Sequence, residues 1–146
     1  MGIRFESNSL LNWTNEMGKF LRLLVDEQHV FDEPSSLVFD KAYDEFFKKS
    51  RVFFLTVTDE ALINYVKEEL DVEQIRPLAL VLMHDGLKSQ DIAEQQTLLL
   101  KAKLLLNYVM QETSNFAFED YGYLATIASK LAKNNSALRD RYHVKK

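Results

Sequence analysis

The chain contains no cysteine, and that one absence removes disulfides, thiolate-bound zinc, iron–sulfur clusters and a thiol nucleophile. It suits a reducing compartment, so a cytoplasmic location is expected. Only two prolines and four glycines occur in 146 residues. So few breakers favour long helices over a many-turned β fold. The glycines stand singly, which excludes a phosphate-binding loop or a Rossmann turn, and there is no H-E-x-x-H, E-x-x-H or G-x-S-x-G pattern. No catalytic, cofactor-binding or metal-binding constellation is therefore expected. The longest wholly apolar run, Leu78 to Met83, is far too short for a bilayer. The start, MGIRFESNSLLNW, lacks the continuous apolar stretch of a secretory signal. No membrane partner is expected.

Hydrophobic residues make up 47% of the chain and charged residues 27%, a globular balance. The length suits one domain over residues 1–146 with a core of its own. Net charge is −4, unevenly spread: from Lys130 onward six Lys or Arg face one acid, Asp140. The acidic body repels phosphate backbones, so no specific nucleic-acid partner is expected. The basic end, residues 136–146, reads as a fraying tail with cations well placed against a helix dipole.

Apolar spacing outlines the helices. Ser7, Asn8 or Ser9 caps a first helix to about Glu27, with Leu10, Trp13, Met17, Phe20, Leu21 and Leu24 on one stripe. Gly18 within it suggests a close helix approach. His29 to Pro34 reads as a loop, and a second amphipathic helix spans about Ser36 to Ser50. Val52 to Val57 has high β propensity, but a lone strand would lack a ladder partner. A helix end plus buried connection is expected there, the alternative being a strand that pairs with its copy in a dimer. Thr58 caps a third helix, Asp59 to about Leu70, and Asp71–Gln74 forms a capping box for a fourth that stops at Gly86. Pro77 should distort its first turn or delay its regular part. Ser89 or Asp91 opens a fifth helix to about Glu112, apolar around so much of its circumference that it should lie at the centre, with Leu99, Ala102 and Leu106 innermost. After a turn at Thr113 to Phe116, a sixth helix through Tyr121, Leu124, Ile127 and Leu131 ends near Asn134–Asn135, with a short seventh from Ser136 to about Tyr142. The expected fold is all-α, a single bundle of six to seven helices.

The spacing Leu78-Ala79-x-x-Leu82-x-x-x-Gly86, followed by an antiparallel helix, resembles tetratricopeptide-type helical hairpins. It is also similar to small uncharacterised bacterial helical proteins built on one such hairpin. The resemblance covers roughly residues 72–131 and implies a central hairpin with a role in interaction rather than catalysis. It transfers no binding residue.

His84–Asp85 is the leading chemical pattern, because HD-type metal phosphohydrolases use that dipeptide with a further His and Asp; His29 and Asp91 or Asp120 would be the recruits. Its place beside Gly86 favours instead an ordinary solvated helix end. The third histidine, His143, lies in the tail. The acidic pairs Glu68–Glu69, Asp44–Glu45 and Glu119–Asp120 diverge by about 100° around their helices, so they read as solvated faces. Aromatic residues exceed what one stripe uses, and Phe53, Phe54, Phe116 and Phe118 are the candidate partner surface. The expected function is a non-enzymatic interaction or scaffold domain binding a protein partner or a second copy of itself as a homodimer. The alternatives are a metal-dependent hydrolase using His84–Asp85 and a small acidic toxin-neutralising protein of the immunity type.

Overall fold

A computed structural model describes residues 7–26, 30–113 and 117–143. Over these residues it is helical throughout, with seven helices and no strand: α1 (Ser7–Val25), α2 (Ser35–Phe47), α3 (Arg51–Thr56), α4 (Asp59–Glu69), α5 (Val72–Lys88), α6 (Ile92–Glu112) and α7 (Glu119–His143). No helix among the described residues is long and apolar enough to cross a membrane.

The α5–α6 hairpin is the centre, and its two helices share the most extensive contact in the molecule. Leu98, Leu99, Ala102, Leu105 and Leu106 of α6 are all wholly buried, as are Leu78, Ala79, Val81 and Leu82 of α5. Burying such side chains contributes roughly 1.5–3 kcal/mol each, which explains why α5 continues through Pro77 despite the lost backbone donor. Its start is as expected, since the Gln74 side chain accepts from the Asp71 amide at 2.8 Å.

Gly86 does not end α5, which runs on to Lys88. A Cβ at Gly86 would lie 2.9 Å from Leu99 Cγ and Cδ2 and 3.3 Å from the Leu99 backbone nitrogen. Its role is to let α6 approach. Gly18 has no such role, since a Cβ there would find its nearest outside neighbour, Arg22 Nη1, at 3.9 Å. The close approach lies at Gly86 rather than at Gly18.

The end of α2 is fastened from two sides. Lys48 takes a left-handed conformation, φ 58°, and its amide returns to the Asp44 carbonyl. The carbonyls of Phe46 and Phe47, unpaired in any helix end, accept from Trp13 Nε1 at 3.0 Å and the Tyr65 hydroxyl at 2.8 Å. Two aromatic side chains from α1 and α4 thus cap α2 while burying their rings. Ring contacts continue this connection through Phe20, Phe39, Tyr43, Phe54 and Tyr65.

Val52–Val57 is neither strand nor simple connection. Ser50 Oγ accepts from the Phe53 amide at 3.1 Å, nucleating the six-residue α3, and Phe54 is driven fully into the core. A cap and tertiary burial outweigh β propensity here, which mostly expresses fit to a pleated surface. The break expected at Asn134–Asn135 is also absent. Asn134 Nδ2 donates to Gln95 Oε1 at 3.0 Å, and Asn135 Oδ1 accepts from Gln96 Nε2 at 3.2 Å. Both amides bind α6 instead of competing for their own backbone, so α7 passes through.

Candidate functional site

The polar residues that the fold concentrates form a buried network between α2, α3, α5 and α6. Arg51, first residue of α3, is placed by the Ser50 cap and by its own amide, which donates to Asp40 Oδ1 at 2.9 Å. Its Nε and Nη2 bind both oxygens of Asp85 at 2.9 and 3.0 Å, a two-point grip suited to a guanidinium. Tyr43, wholly buried on α2, donates its hydroxyl to Asp85 Oδ2 at 2.8 Å. Glu94 of α6 approaches Arg51 Nη2 at 3.1 Å. Gln95 extends the network by donating Nε2 to the Ser89 carbonyl while its Oε1 receives Asn134 of α7.

Asp85 has only 2% of its surface exposed, and burial pushes its carboxyl above the ordinary range although Arg51 and Tyr43 oppose that shift. Burial, and then the Asp85 charge, push the Tyr43 phenol well above its usual value. Desolvation opposes the charge on the Arg51 guanidinium, but the hydrogen bonds and charge of Asp85, with those of Glu94, together outweigh it and hold the group charged. Beside the network lies a cleft of about 370 Å³ bounded by Pro34–Ser36, Arg51 and Ser89–Asp91 with Glu94. At that wall the cation and the carboxylate are already paired. The arrangement binds helices together and leaves Tyr43 and Asp85 without access to a substrate.

Asp85 is therefore not the solvated helix-end residue suggested by its neighbourhood in the sequence. His84 is half-buried beside Lys88, and burial followed by the Lys88 charge lowers its pKa. The other proposed metal recruits are also dispersed: Asp91 caps α6 by accepting from the Glu94 amide, and Asp120 accepts from Arg76 Nε and Nη2 at 3.0 and 2.9 Å. Asp120 is wholly buried, so the Glu119–Asp120 pair is not a solvated face. His29 lies outside the described residues, and no group of three or more His, Cys, Asp or Glu suited to a metal occurs among those described.

The proposed aromatic surface divides. Phe54 is fully buried, which corrects its placement, because α3 turns it inward. Phe53 is half-buried against Phe54 and Tyr65 beneath the Lys49 ammonium. Phe116 lies outside the described residues. Phe118 is 80% exposed, Tyr121 55% and Val72 41%, and the Arg76–Asp120 bonds join the N-terminal parts of α5 and α7 at which they stand.

Asp85 could have been found by spacing, since it follows the buried Leu78, Val81 and Leu82 at seven, four and three residues. Nothing local marks Arg51 as its partner, 34 residues away. Compared with protein-family models, curated proteins and solved structures, the chain matches none of them.

Proposed function

We propose that this chain is a non-enzymatic interaction domain that presents the end of the bundle around Phe118 to a protein partner. The observation that carries this reading is the 80% exposure of Phe118 immediately before a helix whose Asp120 is wholly buried against Arg76. A large aromatic side chain is thereby mounted on a rigid base. Such residues dominate binding energy when a partner closes over them, and a pre-ordered base lowers the entropic cost of that contact. Tyr121, the residue after Asp120, and Val72, four residues before Arg76, are also exposed apolar side chains. The α5–α6 hairpin, likened in sequence to a tetratricopeptide hairpin, supplies the stiff support.

A photocrosslinking amino acid at position 118 would identify the contacting protein in cells, after which affinity is measured with purified components. Phe118→Ala should weaken that complex by about tenfold or more, and equal affinity would remove this surface. If the partner is a second copy, light scattering should show mass rising with concentration in the natural chain and remaining monomeric in the variant.

A further inference from the structure

The outer face of α6 carries a second feature unrelated to Phe118. Thr97, Leu100, Lys101, Leu104 and Asn107 recur at three- and four-residue steps, which places them along one side of the helix. With Lys103 and Asp59, the first residue of α4, they line a cavity of about 350 Å³. That volume lies within the usual range for small-ligand sites.

Lys101 gives the cavity its chemistry. Its side chain is only 9% exposed, and its Nζ lies 3.8 Å from Asp59 Oδ1, beyond hydrogen-bond reach. Asp59 is itself 74% exposed, so this counterion is loosely held. No acceptor among the described residues forms a hydrogen bond with Lys101 Nζ. An ammonium has three donors, and at Lys101 the stem is buried while the ammonium itself keeps contact with solvent at the cavity. An anionic acceptor entering the cavity would meet those donors directly. Lys103 adds a second cation, while Asp59 is the only acid among the described lining residues, giving this lining a positive sign on a chain of net charge −4. Leu100, half-exposed, and Leu104 provide an apolar track beside the ammonium.

We propose that this cavity binds a small amphiphilic carboxylate. Its carboxylate replaces Asp59 as the partner of Lys101, and its alkyl portion lies along Leu100 and Leu104. The two parts of the recognition are separable. An apolar surface alone would accept a chain of either charge, whereas Lys101 selects the anion.

The test uses the full chain labelled with nitrogen-15 and titrated with octanoate below its micelle concentration, with octylammonium as the opposite-charge probe. Octanoate should cause saturable amide shifts around Thr97, Leu100, Leu104 and Asn107. Lys101→Met should weaken binding by about tenfold or more, and Asp59→Asn should strengthen it by removing the competing carboxylate. Leu100→Glu, a change at an exposed position, should abolish the shifts and provides an independent arm if Lys101→Met does not fold. Absence of saturable shifts with octanoate overturns the proposal. So does equal binding of octylammonium, which would indicate a merely apolar surface, or unchanged octanoate affinity in folded Lys101→Met.

Discussion

Arg51→Met removes the cation from the buried network while keeping an unbranched side chain of comparable reach. Asp85, 2% exposed, would lose both guanidinium hydrogen bonds and retain the Tyr43 hydroxyl. Breaking a buried pair in this way typically costs about 3–5 kcal/mol, because a charge is left in a poorly solvated place. Against a total stability on the order of 5–15 kcal/mol, that is a severe loss. Urea unfolding followed by far-ultraviolet circular dichroism measures it directly. Lys19→Met, at a pair whose side chains are 65% and 49% exposed, provides the control and should cost less than about 1 kcal/mol. The deficit at Arg51 should also depend on pH. The folded Asp85 carboxyl is already raised by burial, and loss of Arg51 raises it further. A raised folded value means that the native state holds the proton more tightly, so lowering pH through that window stabilises the variant relative to neutral pH. Converting both partners, Arg51→Met with Asp85→Leu, and Tyr43→Phe to remove the orphaned hydroxyl, should recover much of the loss, since well-packed apolar replacements avoid the desolvation of charge. A loss below about 1 kcal/mol for Arg51→Met alone would refute the view that this pair is buried and committed.

Two further expectations concern α5 and its packing. Gly86→Ala should lower thermal stability despite a helix-propensity gain of about 1 kcal/mol, because its methyl group would meet buried Leu99 at 2.9 Å, and overpacking costs typically about 1–3 kcal/mol. Gly18→Ala meets no such obstacle and should stabilise by up to about 1 kcal/mol; similar melting shifts for both would contradict the assigned close approach. His84 has a lowered folded pKa, so the unfolded chain binds its proton more readily and stability should fall as pH drops through about 6.5. His84→Gln should flatten this part of the pH–stability curve, and an unchanged slope in chemical unfolding would exclude His84 as its source.

The helical class was legible because apolar residues recur at three- and four-residue steps over nearly the whole chain, a pattern a pleated strand cannot bury on one face. The central α6 was legible from the width of its apolar surface, and the Thr58 and Asp71 helix starts from their local chemistry. At Ser50, the cap was available to be read, but the β-branched and aromatic residues after it pointed to a different local state. The end at Asn134 was obscured because the same amide that can terminate a helix can also bind a neighbouring one.

The functional surfaces were less legible. Phe118, an aromatic residue near a turn, is exposed, while Phe54 shares its residue type and is fully buried. Exposure depends on which way α3 turns, a consequence of its packing against several elements. The Arg51–Asp85 and Arg76–Asp120 pairs join residues 34 and 44 positions apart, distances over which helical periodicity carries no pairing information.

By itself the sequence determined the helical class, the central position of α6 and the unequal distribution of charge, because these follow from residue chemistry and short-range spacing. Only the tertiary structure decided that Asp85 is a buried clamp, that Gly86 admits Leu99 rather than ending a helix, and that Lys101 faces a cavity. Each of those outcomes depends on what a distant helix places opposite the residue, and burial then changes the energetics of the same chemical group.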